Sequence, residues 1–143
     1  IITSLELRSE EMEVINLRIQ KKYKEIEEKE VRYEEYLLED AEYAIVAFGS
    51  AARIAKKSIE IARSQGIKVG LLRPITLWPF PTKEVQKLAG KVKGILSLEI
   101  NAGQMVEDIR LAVEGKVPVQ HFGRLGGIIP DPDEVVDAIK RLF

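Results

Sequence analysis

The stretch Leu96-Ser97-Leu98-Glu99-Ile100-Asn101-Ala102-Gly103-Gln104-Met105 carries the residues best placed for chemistry. Ile95, Leu96 and Leu98 read as a buried strand. That strand delivers Glu99 and Asn101 to its end, just before a small-residue turn and an amphipathic helix. A carboxylate at a strand end could act as a general base. Acid–base work needs a partner, such as a second carboxylate, a histidine or a lysine, and the sequence identifies none. In a second reading, Glu99 accepts hydrogen bonds from backbone N–H groups at the helix start. Asn101 then serves as N-cap, and Gly103 lets the chain turn closely. A third reading makes the corner a contact with another chain.

Other groups fall at comparable positions. Gly49-Ser50-Ala51 opens a helix and could hold an anion, but it is neither GxGxxG nor a Walker A loop. A tight turn with a serine cap is the simpler account. Trp78 and Phe80 sit between prolines in Arg73-Pro74-Ile75-Thr76-Leu77-Trp78-Pro79-Phe80-Pro81, so the loop is stiff. They are either a lid over their own sheet or anchors in a partner's pocket. His121 is the single histidine. It lies mid-strand with no Ser or Cys nucleophile motif and no second ligand, which gives neither a triad nor a zinc site. Gly126-Gly127 precedes a helix that Asp131 or Asp133 can cap with Pro132 in its first turn. No Lys-Ser/Thr follows, so a phosphate loop is a poor fit.

The elements that position these groups alternate in type. Tyr43–Gly49, Ile67–Pro74, Gly94–Ile100 and Val117–Gly123 read as strands. Between and after them lie helices, one with Ala52, Ala55, Ile59 and Ala62 on a face and Gly66 at its end, one starting at a Thr82 cap, one with Met105, Ile109 and Val113 aligned, and one at the C-terminus. Repeated βα units predict an α/β fold, three-layer and doubly wound, with a mostly parallel sheet. Residues 1–40 differ: they contain no glycine or proline and are dense in charge. Met12, Ile15, Ile19, Tyr23 and Ile26 form a helical stripe, with Ser9 as a plausible cap. Such a helix must lie on something else. Val31–Glu42 breaks the helical period and reads as an extended linker.

Composition bounds the function. The 143 residues carry a net charge of −1 and are 45% hydrophobic. That charge leaves no electrostatic footprint for nucleic acid or an anionic membrane, and no apolar run has membrane length. The absence of cysteine excludes disulfides and Cys-ligated clusters in this chain and suits a cytoplasmic location. The chain opens on Ile1 and not Met, so a fragment, or a chain with a processed beginning, is expected.

Taken in order, "RPITLWPFP", "EINAGQM" and "GRLGGIIPDPDEV" resemble the C-terminal, transketolase C-terminal-like domain of the alpha subunit of 2-oxoacid:ferredoxin oxidoreductases. The resemblance spans residues 32–143. It implies residues 1–40 as a connector from a missing N-terminal domain and 41–143 as the α/β domain. It implies an enzyme that oxidatively decarboxylates a 2-oxoacid to acyl-CoA, reduces ferredoxin, and uses thiamine diphosphate, iron–sulfur clusters and CoA. Beta and possibly gamma and delta subunits are the implied partners. No position here matches a catalytic, cofactor-binding or metal residue, so the expected role is architecture and subunit contact. Arg73, Trp78, Phe80, Glu99, Asn101 and Gln104 are the candidate interface. The alternatives are the equivalent domain of a dehydrogenase E1 beta chain or transketolase, and a free-standing nucleotide-binding module. The latter would need the glycine fingerprint that is missing here.

Overall fold

The structure, a computed structural model, describes residues 5–142. Residues 1–4 and Phe143, assigned from sequence to the connector and the last helix, lie outside the described residues. The elements are α1 (Ser9–Lys29), β1 (Tyr33–Tyr36), β2 (Tyr43–Ala47), α2 (Gly49–Ser64), β3 (Val69–Pro74), α3 (Thr82–Ala89), β4 (Gly94–Glu99), α4 (Met105–Val113), β5 (Val119–Gly123) and α5 (Pro132–Lys140). Among the described residues, no helix is long and apolar enough to cross a membrane.

The continuous apolar runs occupy the sheet centre because they are covered on both faces. The strand order is β1-β3-β2-β4-β5, with β2, β3, β4 and β5 parallel. Along β4 the faces alternate. Leu96 and Leu98 pack with Ile45, Ile59 and Ile139 beneath α2 and α5. Ile95 packs with Val46, Val85 and Ile109 beneath α3 and α4. This is the three-layer, mostly parallel α/β architecture that the alternating pattern predicts.

Part of the expected linker is a strand. β1 pairs antiparallel with β3, from Tyr33 opposite Pro74 to Tyr36 opposite Leu71. It is short and charged, as an edge strand should be, and therefore carries no apolar signature. Glu34 reaches across it to Arg73 at 2.9 Å. After β1 the chain folds back over β3 at Leu37, which has a φ of +53°. A Cβ at Gly70 would lie 2.4 Å from the Leu37 carbonyl oxygen. Only glycine fits beneath that crossing.

Several expected caps are also corrected. The N-cap residues of α1, α2 and α3 are Arg8, Phe48 and Pro81, and none accepts through its side chain. Ser9, Ser50 and Thr82 all lie inside the first turn, one or more residues too late for a capping oxygen to face the free N–H groups. Thr82 Oγ1 instead donates to the Phe80 carbonyl at 3.5 Å. At α5 the expectation holds: Asp131 accepts from the Asp133 N–H, and Glu134 accepts from the Asp131 N–H, completing a capping box.

No residue of α1 is buried. Its stripe reaches the α/β unit through Tyr23, whose ring meets Trp78 nearly edge-on at a centroid distance of 5.3 Å.

Candidate functional site

In this fold class, ligands bind outside the carboxyl ends of the strands, where the strand order reverses. Here that point lies between β2 and β4. Glu99 ends β4 there and is 0% exposed. Its carboxylate accepts from the backbone N–H groups of Gln104 (3.1 Å), Met105 (2.9 Å) and Val106 (3.0 Å), which form the open start of α4. A fourth bond comes from the Ser97 hydroxyl at 2.8 Å. Burial pushes the Glu99 carboxyl up, but the bonds from Met105, Ser97 and Gln104, with Asn101 nearby, outweigh it and hold the group below its ordinary value.

This geometry decides between the readings of Glu99. An ionised carboxylate offers about four acceptor sites, and four donors fill them. The bonds favour the ionised form and tie it to the start of α4. His121 lies on β5, opposite Ser97 in register. Its Nε2 stands 3.9 Å from Glu99 Oε1 and makes no hydrogen bond. That separation is longer than a hydrogen bond. The partner that sequence reasoning did not identify is thus a neighbour of Glu99, with no hydrogen bond between them. Strand register alone could have placed it.

Asn101 is not the N-cap of α4, because Gln104 holds that position and Glu99 does the capping. The Asn101 side chain accepts from the Gly103 N–H at 2.7 Å and shapes the turn leading into the helix. Gly103 adopts φ +106°, a conformation that suits glycine.

Phe80, Glu99, Asn101 and Gln104 come together around one hollow of about 150 Å³, closed further by Phe48 and Leu77. Drug-sized ligands occupy pockets of roughly 300–1,000 Å³, and this hollow is smaller. The helix start that could hold a phosphate is taken by Glu99. No group of three or more His, Cys, Asp or Glu among the described residues is placed to hold a metal ion.

Trp78 and Arg73 lie apart from that hollow. Phe80 is partly buried against the α3–α4 core, whereas Trp78 is 55% exposed. The two aromatics thus differ: Phe80 covers its own core, and Trp78 meets Tyr23 and is otherwise open. The loop is fixed: Ile75 N–H donates to the Arg32 carbonyl at 2.9 Å, and the Thr76 hydroxyl donates to Pro79 O at 3.0 Å. The Trp78–Pro79 peptide is cis. Arg73 is half-buried and engaged with Glu34.

Sequence reasoning missed the rest of this edge. Ile75 and Leu77 after β3, with Leu125, Ile128 and Ile129 after β5, are all exposed and join Trp78 along the same end of the sheet. The available signal was apolar residues inside glycine- and proline-rich loops, where no helix or strand can bury them.

The pyruvate:ferredoxin oxidoreductase core domain II family matches residues 41–135. The chain belongs to that family. It is 45% identical over 142 residues to the ketoisovalerate oxidoreductase subunit VorB of Methanothermobacter thermautotrophicus, covering 99% of this chain and 40% of that subunit. The fold matches a 2-oxoglutarate:ferredoxin oxidoreductase from Magnetococcus marinus with a TM-score of 0.81 at 21% identity, over 96% of this chain and 24% of the other. A split-gene transketolase aligns with a TM-score of 0.64 at 15% identity, over 76% of this chain and 41% of the other. The expected resemblance and the transketolase-like α/β fold are both borne out. The chain spans 40% of the length of that VorB subunit.

Proposed function

We propose that this core domain II chain is a structural and subunit-contact domain in the alpha subunit of a 2-oxoacid:ferredoxin oxidoreductase. The whole enzyme, working in the cytoplasm, oxidatively decarboxylates a 2-oxoacid to acyl-CoA and reduces ferredoxin. Its thiamine diphosphate, iron–sulfur clusters and CoA sit on other parts of the assembly.

One observation carries this reading. Leu77 and Phe80 line the small hollow at the strand ends, and Ile75, Trp78, Ile128 and Ile129 on the loops at that end of the sheet are exposed. Exposed apolar side chains gathered on one edge mark protein contacts. Glu99 is buried, so it acts from beneath, holding the start of α4 while Asn101 and Gln104 face outward. The beta subunit is the proposed partner, with gamma and delta subunits where present. The chain has no cysteine for an iron–sulfur cluster.

Purifying the native complex and identifying its subunits by mass spectrometry tests the reading. An iron–sulfur partner is expected. A lipoyl-bearing partner would move the chain to the dehydrogenase E1 beta alternative. Stoichiometric thiamine diphosphate binding to this chain alone, measured by calorimetry, would contradict the contact role.

A further inference from the structure

We propose that the groove between the end of α1 and the Trp78-Pro79-Phe80 turn receives an arginine or lysine side chain from an extended segment of a partner protein. The proposal deepens the contact role above and rests on it in taking Trp78 to face another protein. The groove has a volume of about 610 Å³. Val31, Pro79 and Phe80 give it apolar surface, Tyr33 and Trp78 add two rings, and Glu27, Glu28 and Glu84 add carboxylates, with Lys83 in the lining and Lys24 beside Glu27 and Trp78 in the adjoining hollow.

Glu27 and Glu28 set this groove apart from the rest of the charged surface. Most carboxylates nearby are spoken for: Glu30 pairs with Arg32 at 3.3 Å, Glu34 with Arg73, and Glu84 approaches Lys87 at 3.9 Å. Glu27 and Glu28 have no ion pair or hydrogen bond among the described residues. Beside them stands an indole braced by Tyr23 yet more than half uncovered. Tryptophan is the side chain best suited to a cation over its ring. Arginine and lysine combine an aliphatic stem for the apolar surface with a cationic head for the carboxylates. A second copy of this chain fits poorly, because a two-fold contact centred on the groove would bring Glu27 and Glu28 against their own copies.

Trp78 is the single tryptophan, so its emission reports on the groove directly. The probe is an acetylated pentapeptide amide of alternating leucine and arginine. The control replaces each arginine with neutral citrulline. The arginine peptide should shift Trp78 emission saturably, the shift should weaken with added salt, and the citrulline peptide should bind about tenfold more weakly. Glu27→Gln with Glu28→Gln, both on an exposed helix face, should weaken the arginine peptide by about tenfold while circular dichroism stays unchanged. Equal binding of both peptides, or no loss in the double variant, overturns the proposal. So does an emission shift that depends on protein concentration without peptide, which marks a second copy as the occupant. If complex assembly requires Trp78 but tolerates the double variant, the contact role stands and the groove proposal alone falls.

Discussion

At Glu99, the deciding quantity is how many donors one carboxylate can serve. Three backbone N–H groups and one hydroxyl converge on it, so its charge neutralises the open end of α4. Glu99→Gln turns an NH2 group toward those donors and should cost about 2–3 kcal/mol of stability in denaturant unfolding. The pH dependence follows from the direction of the shift. The folded carboxyl lies below its ordinary 4.5, so the unfolded chain takes up the proton first. The stabilisation is then complete above about pH 4.5 and is lost as pH falls through the folded value. The gap between wild type and Glu99→Gln should therefore shrink on acidification; a constant gap would mean that the charge contributes nothing. The capping reading of Glu99 was one of three that the sequence allowed, because the donors that favour it converge only once the chain turns into α4. The role of Asn101 was not, because turn geometry decides which of two nearby acceptors reaches the helix start.

At the scale of elements, the central strands and the four helices around them were legible because hydrophobic period and Gly/Pro punctuation agree there. β1 was not, since four residues with two carboxylates carry no period and owe their structure to pairing with β3. Gly70 is the position on which that pairing depends. Gly70→Ala should cost about 3 kcal/mol and speed hydrogen exchange in β1 more than in β2 or β4. Uniform exchange across the sheet would contradict this account of the crossing. The aromatic loop makes a second contrast. Phe80→Ala should lower stability by about 2 kcal/mol because its ring packs on the core, whereas Trp78→Ala should leave the unfolding midpoint nearly unchanged. Sequence could not separate the two, as both lie between prolines and differ only in which way the loop turns them.

Across the whole molecule, a mostly parallel α/β frame carries a small hollow at its strand ends, lined by the chain's own Phe48, Leu77 and Phe80. Ile75, Leu125, Ile128 and Ile129 are exposed on loops at the strand ends. With Trp78 and the unburied helix α1, they are the surface proposed above for subunit contact. This arrangement was only partly legible, because exposure of loop side chains is a tertiary property that period and composition do not encode. Hydroxyl-radical footprinting of the native complex beside the free chain tests the contact role most directly. The account predicts that Trp78, Ile128 and Ile129 react readily in the free chain and are protected in the complex. Equal reactivity of those side chains in both states would contradict it.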